Sequence, residues 1–307
     1  MNVQSGQTKK TVATLMLKQL EEWGVKRIYG VVGDAIIGLM DEIAKQDSIQ
    51  FIAVKHESVA AMMASAEAKL TGRLGVCLAT MGPGLGNLIN GLGDAYMDKA
   101  PVLAITGQAP TQKIGTDYKQ YLNQQELIKP LAEYTSLLAH PDAIIDVLTK
   151  AMKTSLDKGA VTHLSVPKDL FEMKASATVK QEPKMIQTHL SIDEKEISEV
   201  VEIMKNAKKP VILAGLGAIP AVGEIEKLAD NWGAGILVSL GAKGVFSQSC
   251  KNFVGGIGQG GNPHAKKLFQ ESDVVLVVGN LWWPEGYVPK QAKLIQIDIA
   301  KENIGKG

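Results

Sequence analysis

Residues 51–72 read FIAVKHESVAAMMASAEAKLTG, and this stretch decides the fold class of the chain. Its apolar start predicts a strand buried on both faces, and the small side chains of residues 58–70 predict a closely packed helix. Gly72 is expected to end that helix, because glycine adopts the left-handed cap conformation without strain. Glu57 lies at the junction. Its carboxylate is therefore expected at the carboxyl edge of a sheet, where ligands of open α/β sheets bind.

The same order of strand and helix repeats along the chain. The strand GVCLAT (75–80) precedes the helix GLGNLINGLGDAYMDK (84–99), and DVVLVVGN (273–280) is a later apolar strand. Apolar strands joined by helices predict parallel sheets with right-handed crossovers. The predicted fold class is α/β, with two doubly wound, mainly parallel-sheet domains that carry helices on both faces.

A length of 307 residues suits two domains of ordinary size. The first predicted domain covers residues 1–173, and the second is a central α/β domain that begins at residue 193. Between them, residues 174–192 are polar and lack an apolar period, which predicts a linker. The sequence given stops at residue 307, directly after a strand. Since a βαβ unit would add a helix there, we expect the second domain to be truncated.

Composition excludes several classes of protein. The net charge is +1 and aromatic residues make up 5% of the chain, which argues against nucleic acid as a partner. No apolar run reaches the roughly 18 residues of a membrane span, and the N-terminus has no signal core. Cys77 and Cys250 are far apart and suggest neither a disulfide framework nor a zinc site. We therefore expect a cytoplasmic protein.

Glu57 has two interpretations on the residues alone. It could be a structural carboxylate at a helix start, stabilised by the helix dipole by about 0.3–1 kcal/mol. The apolar strand before it and the small-residue helix after it favour a functional carboxylate instead.

Two glycine loops follow strands and precede helices. The first, TMGPGLGN (80–87), lacks the G-x-G-x-x-G spacing of dinucleotide sites, and Pro83 removes one backbone donor. The second is Gly215-Leu216-Gly217, which is either a phosphate-binding turn or only a tight turn. His56, His140, His163 and His264 show no metal-ligand spacing, so no metal site is predicted.

Taken together, the motifs resemble one family. They are YGVVGD (29–34), KHE (55–57), GVCLATMGPGLGNLINGLGDAYMDKAPVLAITGQ (75–108), IGTD (114–117) and VPKD (166–169). Their order is similar to the pyrimidine-binding domain of thiamine-diphosphate enzymes of the acetolactate synthase and pyruvate oxidase group. The second domain resembles the central domain of those enzymes, and its end looks most like pyruvate oxidases.

The resemblance implies roles for named residues. In the family, the glutamate at the position of Glu57 is catalytic and hydrogen-bonds N1′ of the cofactor's aminopyrimidine. That bond favours the tautomer that takes a proton from the thiazolium ring. Further contacts to thiamine diphosphate are implied for Gly33, Thr80, Pro83, Asn87 and Gln120. The family's central domain either binds FAD or is empty, so the resemblance allows FAD at Gly215 and Gly217.

The implied activity is decarboxylation of pyruvate or another small 2-keto acid. The family holds Mg²⁺ and the diphosphate on a third domain, which a C-terminal segment or another subunit would supply. We therefore expect this chain to be inactive alone, and close helix packing favours a homodimer or tetramer. Lys119 and Tyr121 replace the Phe and Glu that often flank Gln120 in the family, which leaves the acyl acceptor open.

Three other interpretations remain at this point. The chain could be a non-catalytic dimerising module that uses helix 58–70, or one subunit of a split enzyme. A nicotinamide-dependent dehydrogenase is less well supported, because the acidic residue expected after the next strand is missing.

Overall fold

The computed structural model describes residues 9–183, 193–280, 287, 289 and 291–305. The chain forms two compact units, residues 1–186 and residues 187–307. Each unit has its own parallel sheet with helices alongside, so the predicted fold class is confirmed.

The first unit alternates strands and helices. Its strands are β1 (Lys10–Thr11), β2 (Arg27–Gly30), β3 (Gln50–Ala53), β4 (Gly75–Ala79), β5 (Val102–Gln108), β6 (Ala132–Leu137), β7 (Val161–Pro167) and β8 (Lys174–Ala175). Its α-helices are α1 (Val12–Glu22), α2 (Ile37–Ile43), α3 (Glu57–Thr71), α4 (Pro83–Met97), α5 (Gln124–Ile128) and α6 (Ile144–Lys158). Short 3-10 turns occur at Asp34–Ile36, Thr111–Lys113 and Pro141–Ala143.

Six strands of this unit form one sheet in the order β3-β2-β4-β5-β7-β6, and each neighbouring pair is parallel. One apolar layer packs the sheet against α1, α2 and α6. A second layer packs the other face against α3, α4 and α5. From β2 the chain passes first to β3 and then back to β4 on the other side. The two adjacent strands β2 and β4 therefore form a topological switch point, where such sheets bind ligands.

The prediction that the strand before Glu57 is buried on both faces is wrong. β3 lies at the edge of the sheet and pairs only with β2. Gln50 and Ala53 are exposed, whereas Phe51 and Ile52 are half-buried. The prediction was wrong because apolar composition does not distinguish an edge strand from a central one. The apolar residues of an edge strand can pack on the core and still be partly exposed to solvent.

The first ten residues of the predicted linker, 174–183, lie against the first unit. β8 pairs antiparallel with β1. The fully buried Gln19 side chain forms two hydrogen bonds of 2.8 Å with the backbone of Lys180, one as donor and one as acceptor. The Trp23 indole N–H donates to the same carbonyl. We call residues 174–183 the strap. The exact domain boundaries stay a prediction.

The second unit has a five-stranded parallel sheet. Its strands are β9 (Pro210–Ala214), β10 (Gly235–Val238), β11 (Phe253–Gly256), β12 (Val274–Val278) and β13 (Lys293–Ile297), and its α-helices are α7 (Glu194–Lys205), α8 (Val222–Trp232) and α9 (Pro263–Glu271). Short 3-10 turns occur at Leu216–Ala221, Leu240–Ala242 and Lys301–Asn303. The strand order is β11-β10-β9-β12-β13. Within the described ranges of both units, no helix is long and apolar enough to cross a membrane.

Candidate active site

The predicted site residues of the first unit follow strands of its sheet on the same edge. Gly33 comes after β2, Glu57 after β3, and the segment 80–83 after β4. Gln120 belongs to the segment that joins β5 to α5. Because all of these strands are parallel, their carboxyl ends meet at one edge, and β2 and β4 place Gly33 and Thr80 at the switch point.

Glu57 is the first residue of α3 and is buried, with 9% of the residue's surface exposed. The Nδ2 atom of Asn87 donates a hydrogen bond of 2.9 Å to Oε2 of this carboxylate. No other described residue donates a hydrogen bond to Oε1. The helix dipole of α3 also stabilises a negative charge at this place. Glu57 thus presents one occupied and one open oxygen.

Four contacts join α3 and α4 along one line, and we call this line the helix seam. The Glu57–Asn87 bond is the first contact, and Ala61 lies opposite Gly91 in the second. The other two contacts, which are polar, are Ser65 Oγ to Asp94 at 2.7 Å and Lys69 Nζ to Asp98 at 2.5 Å. The members on α3 are four residues apart, so they share one face of the helix.

At the end of the seam away from Glu57, ion pairs join the two helices. Lys69 contacts both Asp94, at 2.7 Å, and Asp98. Burial lowers the pKa of Lys69, but the hydrogen bonds to the two carboxylates outweigh it and leave this pKa raised. Burial likewise opposes ionisation of Asp94, yet hydrogen bonds from Lys69 and Ser65 hold its pKa below its usual value. Both directions favour the ion pair over the neutral forms.

Gly33 packs directly on Thr80. A Cβ added to Gly33 would lie 2.6 Å from the Cβ of Thr80, so a larger residue does not fit there without a shift. The Oγ1 atom of Thr80 also lies 3.4 Å from the backbone N–H of Ala35, which donates to it. The structure therefore brings two of the predicted residues, Gly33 and Thr80, into contact.

Gly82 and Gln120 form the second close pair. Gly82 has a φ of 57°, and Gln120, which is not glycine, has a φ of 60°. A Cβ on Gly82 would overlap the carbonyl oxygen of Gln120. Left-handed backbone at a non-glycine residue is uncommon and is often part of a functional site. Tyr118 and Tyr121, which flank this segment, pack against the apolar cluster that contains Met81.

Pro83 is exposed and is the first residue of α4. The nearby backbone donors of Gly84 and Gly86 are used by the carbonyl groups of Met81 and Gly82. The loop 80–87 therefore does not offer these N–H groups to a phosphate. This observation agrees with the weak dinucleotide signal of its sequence.

A group of charged residues at the same edge was not predicted. Lys168 Nζ lies 3.2 Å from Asp34 Oδ2, and Lys119 Nζ lies 3.8 Å from the same atom. The hydrogen bond to Asp34 is the largest cause of a raised pKa for Lys168. Asp169 accepts from both the N–H and the hydroxyl of Thr111. The YGVVGD and VPKD motifs contain Asp34, Lys168 and Asp169, but sequence spacing alone does not show that they meet.

In the second unit, Gly215 and Gly217 lie at the switch point between β9 and β12. Their N–H groups donate to the carbonyls of Val278 and Gly279. A Cβ added to Gly217 would lie 2.9 Å from Cα of Gly279. Close backbone packing thus accounts for these glycines, and their N–H groups are not free to bind a flavin diphosphate. FAD binding at this loop stays a prediction.

Two family models match the chain. Residues 10–127 match the N-terminal TPP binding domain of thiamine pyrophosphate enzymes, and residues 197–307 match the central domain of the same enzymes. The chain belongs to the thiamine pyrophosphate enzymes. The resemblance on which the sequence interpretation rests is therefore confirmed.

Curated relatives of this family match almost the whole chain. The protein YdaP of Bacillus subtilis (strain 168), named as a thiamine pyrophosphate-containing protein, is 38% identical over 97% of the chain and 52% of its own length. The pyruvate oxidase of Lactiplantibacillus plantarum is 32% identical over 99% of the chain and 51% of its own length. An acetolactate synthase of Mycobacterium bovis is 32% identical over 96% of the chain and 50% of its own length. The chain thus spans about half the length of these relatives.

Proposed function

We propose that the first unit binds the aminopyrimidine ring of thiamine diphosphate and that Glu57 is the catalytic carboxylate. The observation that supports this role is the state of its two oxygens. Asn87 donates to Oε2, and no described residue donates to Oε1. A buried carboxylate with one open oxygen suits a hydrogen bond to N1′, across which a proton can be exchanged.

The neighbouring residues fit a flat ring at the switch point. Gly33 packs against the side chain of Thr80, and Gly82 packs against the backbone of Gln120, so neither position has room for a side chain. Pro83 is exposed beside them. We propose that these residues line the pyrimidine position, and that Asn87 lies next to it on the Glu57 carboxylate. The bound cofactor supplies the electron sink for decarboxylation of a 2-keto acid such as pyruvate, and this chain supplies the orientation and the proton acceptor.

A binding experiment tests this proposal without turnover. Hydroxymethylpyrimidine, the pyrimidine half of thiamine, is titrated into the 307-residue chain and followed by saturation-transfer NMR. We expect Glu57→Gln to weaken binding by about tenfold or more, because a hydrogen bond to a charged group is lost. Glu126→Gln is the control, since that residue lies on the exposed side of α5. Equal binding by wild type and Glu57→Gln would overturn the role of Glu57.

The diphosphate and Mg²⁺ are proposed to bind elsewhere in the active assembly. No group of three or more His, Cys, Asp or Glu residues within the described residues could hold a metal ion. The relatives above are about twice as long as the chain. We propose a diphosphate-binding domain, on the same polypeptide or on another subunit, and an inactive chain without it. Decarboxylation of pyruvate by the 307-residue chain with thiamine diphosphate and Mg²⁺ would contradict this.

Two further features belong to the proposal. The second unit is proposed to bind FAD at the carboxyl edge of its sheet, and flavin absorbance of the purified protein checks this. The active form is proposed to be a homodimer or tetramer, because the outer faces of α3 and α4 expose Met62 and Met97. The last prediction of the Discussion tests this association.

A further inference from the structure

The bond between Asn87 and Glu57 gives Asn87 a different role from that of its neighbours. Its Nδ2 atom lies 2.9 Å from Oε2 of Glu57, so this donor is directed at the carboxylate. Asn87 lies in the second turn of α4, whereas Glu57 is the first residue of α3. Thirty positions separate the two residues in sequence. The bond therefore depends on how the two helices pack.

An amide is well suited to orient a carboxylate that must exchange a proton. The NH₂ group donates to the charged oxygen but does not take up or release a proton itself at neutral pH. A lysine or arginine at this place would hold the carboxylate as an ion pair. Asn87 instead restricts rotation of the long Glu57 side chain and leaves Oε1 as the oxygen available to a ligand.

Gly91 sets the distance across which this bond forms. A Cβ added to Gly91 would lie 2.6 Å from the Cβ of Ala61 and 2.6 Å from the backbone nitrogen of Met62. Both contacts are with α3, one turn after Glu57. A methyl group there has to move α4 away from α3, because backbone atoms cannot yield. Gly91 thus holds α4 close enough for Asn87 to reach the carboxylate.

We propose that Asn87 is a positioning residue for Glu57 and that Gly91 fixes the helix spacing on which it depends. This inference rests on the proposed thiamine function and deepens it. It replaces the interpretation of Asn87 as a direct contact to the cofactor. Asn87 acts through Glu57: it holds Oε2, and so directs Oε1 toward the pyrimidine nitrogen.

A double-mutant cycle separates the two roles. Hydroxymethylpyrimidine is titrated into the full 307-residue chain with wild-type residues, Asn87→Ala, Glu57→Gln and the double variant. Positioning predicts that Asn87→Ala weakens binding about tenfold when Glu57 is present and less than about twofold in the Glu57→Gln background. A direct contact predicts the same loss in both backgrounds. Asn90→Ala, one turn further along the exposed side of α4, is the matched control and is expected to bind as wild type.

A rescue experiment gives a readout that a purely structural role would not change. In Asn87→Asp, two carboxylates face each other and repel at neutral pH, but at lower pH they share one proton. The protonated Asp then donates to Oε2 in place of the amide. Relative to wild type at each pH, binding by Asn87→Asp is expected to recover as the pH is lowered, whereas binding by Asn87→Ala is not.

The helix spacing is tested with two glycine substitutions on α4. Gly91→Ala is expected to reproduce the loss of Asn87→Ala, while Gly93→Ala, which faces open space, is expected to bind as wild type. If the losses of binding in the cycle are additive and binding by Asn87→Asp does not recover at lower pH, the positioning role of Asn87 is overturned. The proposed role of Glu57 is not affected by that result. Unchanged binding in Glu57→Gln instead overturns the proposed function, and the inference with it.

Discussion

At the scale of single residues, His163 is a buried ionisable side chain away from the site. It lies on β7, and its two ring nitrogens form hydrogen bonds with Thr106 Oγ1 on β5, at 2.8 Å, and Thr135 Oγ1 on β6, at 2.9 Å. Burial lowers its pKa from 6.5 to about 3. The folded protein therefore keeps this ring neutral, and the ring joins three neighbouring strands across the sheet.

The lowered pKa of His163 makes stability depend on pH. The unfolded chain binds a proton below about pH 6.5, whereas the folded chain does not do so until about pH 3. The contribution of His163 to stability is therefore present above pH 6.5 and is lost as the pH falls, by at most about 1.4 kcal/mol per pH unit. Urea unfolding of wild type and His163→Gln should converge as the pH is lowered from about 7 to about 4.

The exposed residue His264 provides the control for this measurement. His264→Gln should follow wild type at each pH, because its ring lies at the surface of α9. A constant difference between wild type and His163→Gln over the whole range would contradict the prediction, since it would show that the ring does not titrate between the folded and unfolded states.

At the scale of elements, the strap is held by the β1–β8 pair, by bonds from Ser176 and Lys180 to carboxylates, and by Gln19. Its amide bonds to both the N–H and the carbonyl of Lys180, as a neighbouring strand would. Gln19 is completely buried, so the loss of its amide leaves the Lys180 N–H without a partner. Each of the two hydrogen bonds that are lost contributes about 0.5–1.5 kcal/mol.

We predict that Gln19→Leu releases the strap before it unfolds the sheet. Trypsin should then cleave after Lys174 and Lys180 several-fold faster than in wild type, which mass spectrometry of the early fragments measures. Glu22→Gln lies on the exposed side of the same helix and should leave cleavage unchanged. Equal cleavage of Gln19→Leu and wild type would mean that the other contacts of the strap, such as the β1–β8 pair and the Trp23 bond, are sufficient to hold it.

At the scale of the whole molecule, features that depend on neighbouring residues could be predicted from the sequence, whereas features that depend on long-range contacts could not. The cap at Gly72, with a φ of 67°, and the placement of Glu57 after a strand follow from neighbouring residues, and the structure agrees with both. The edge position of β3 depends on strand order, which its own apolar residues do not report. The Asn87–Glu57 bond joins residues on two helices and had no local signal.

The small residues of α3 show the same distinction. Their pattern predicted close packing, and Ala61, Ala64 and Ser65 are indeed buried against the same unit. A Cβ on Gly75 of β4 would overlap the carbonyl oxygen of Ala64, so the helix rests directly on the sheet. The small-residue face of α3, which the sequence suggested as a docking surface, is thus already packed against the first unit. A partner of the helix has to use the opposite face.

That opposite face carries Val59, Met62 and Leu70, which are 42%, 43% and 87% exposed. Tyr96 and Met97 at the end of α4 are also exposed. On α3, Val59, Met62 and Leu70 are three to eleven residues apart at spacings that place them on one side of the helix, so they form one apolar stripe beside the seam that holds Glu57. A second copy of the chain is the partner that we propose, because self-association would cover the stripes of both copies at once.

The association can be measured by analytical ultracentrifugation of the 307-residue chain. Wild type should sediment as a dimer or larger at micromolar concentration, and Met62→Lys should shift it toward the monomer. Burial of a methionine contributes about 1.5–3 kcal/mol, and a lysine in its place adds a desolvation penalty. The dissociation constant of the dimer should therefore rise by at least tenfold. Ile197→Lys, an equally exposed apolar position on α7, is the control. If both variants associate like wild type, the stripe is not the interface; if wild type is monomeric, the homo-oligomer itself is wrong for this chain.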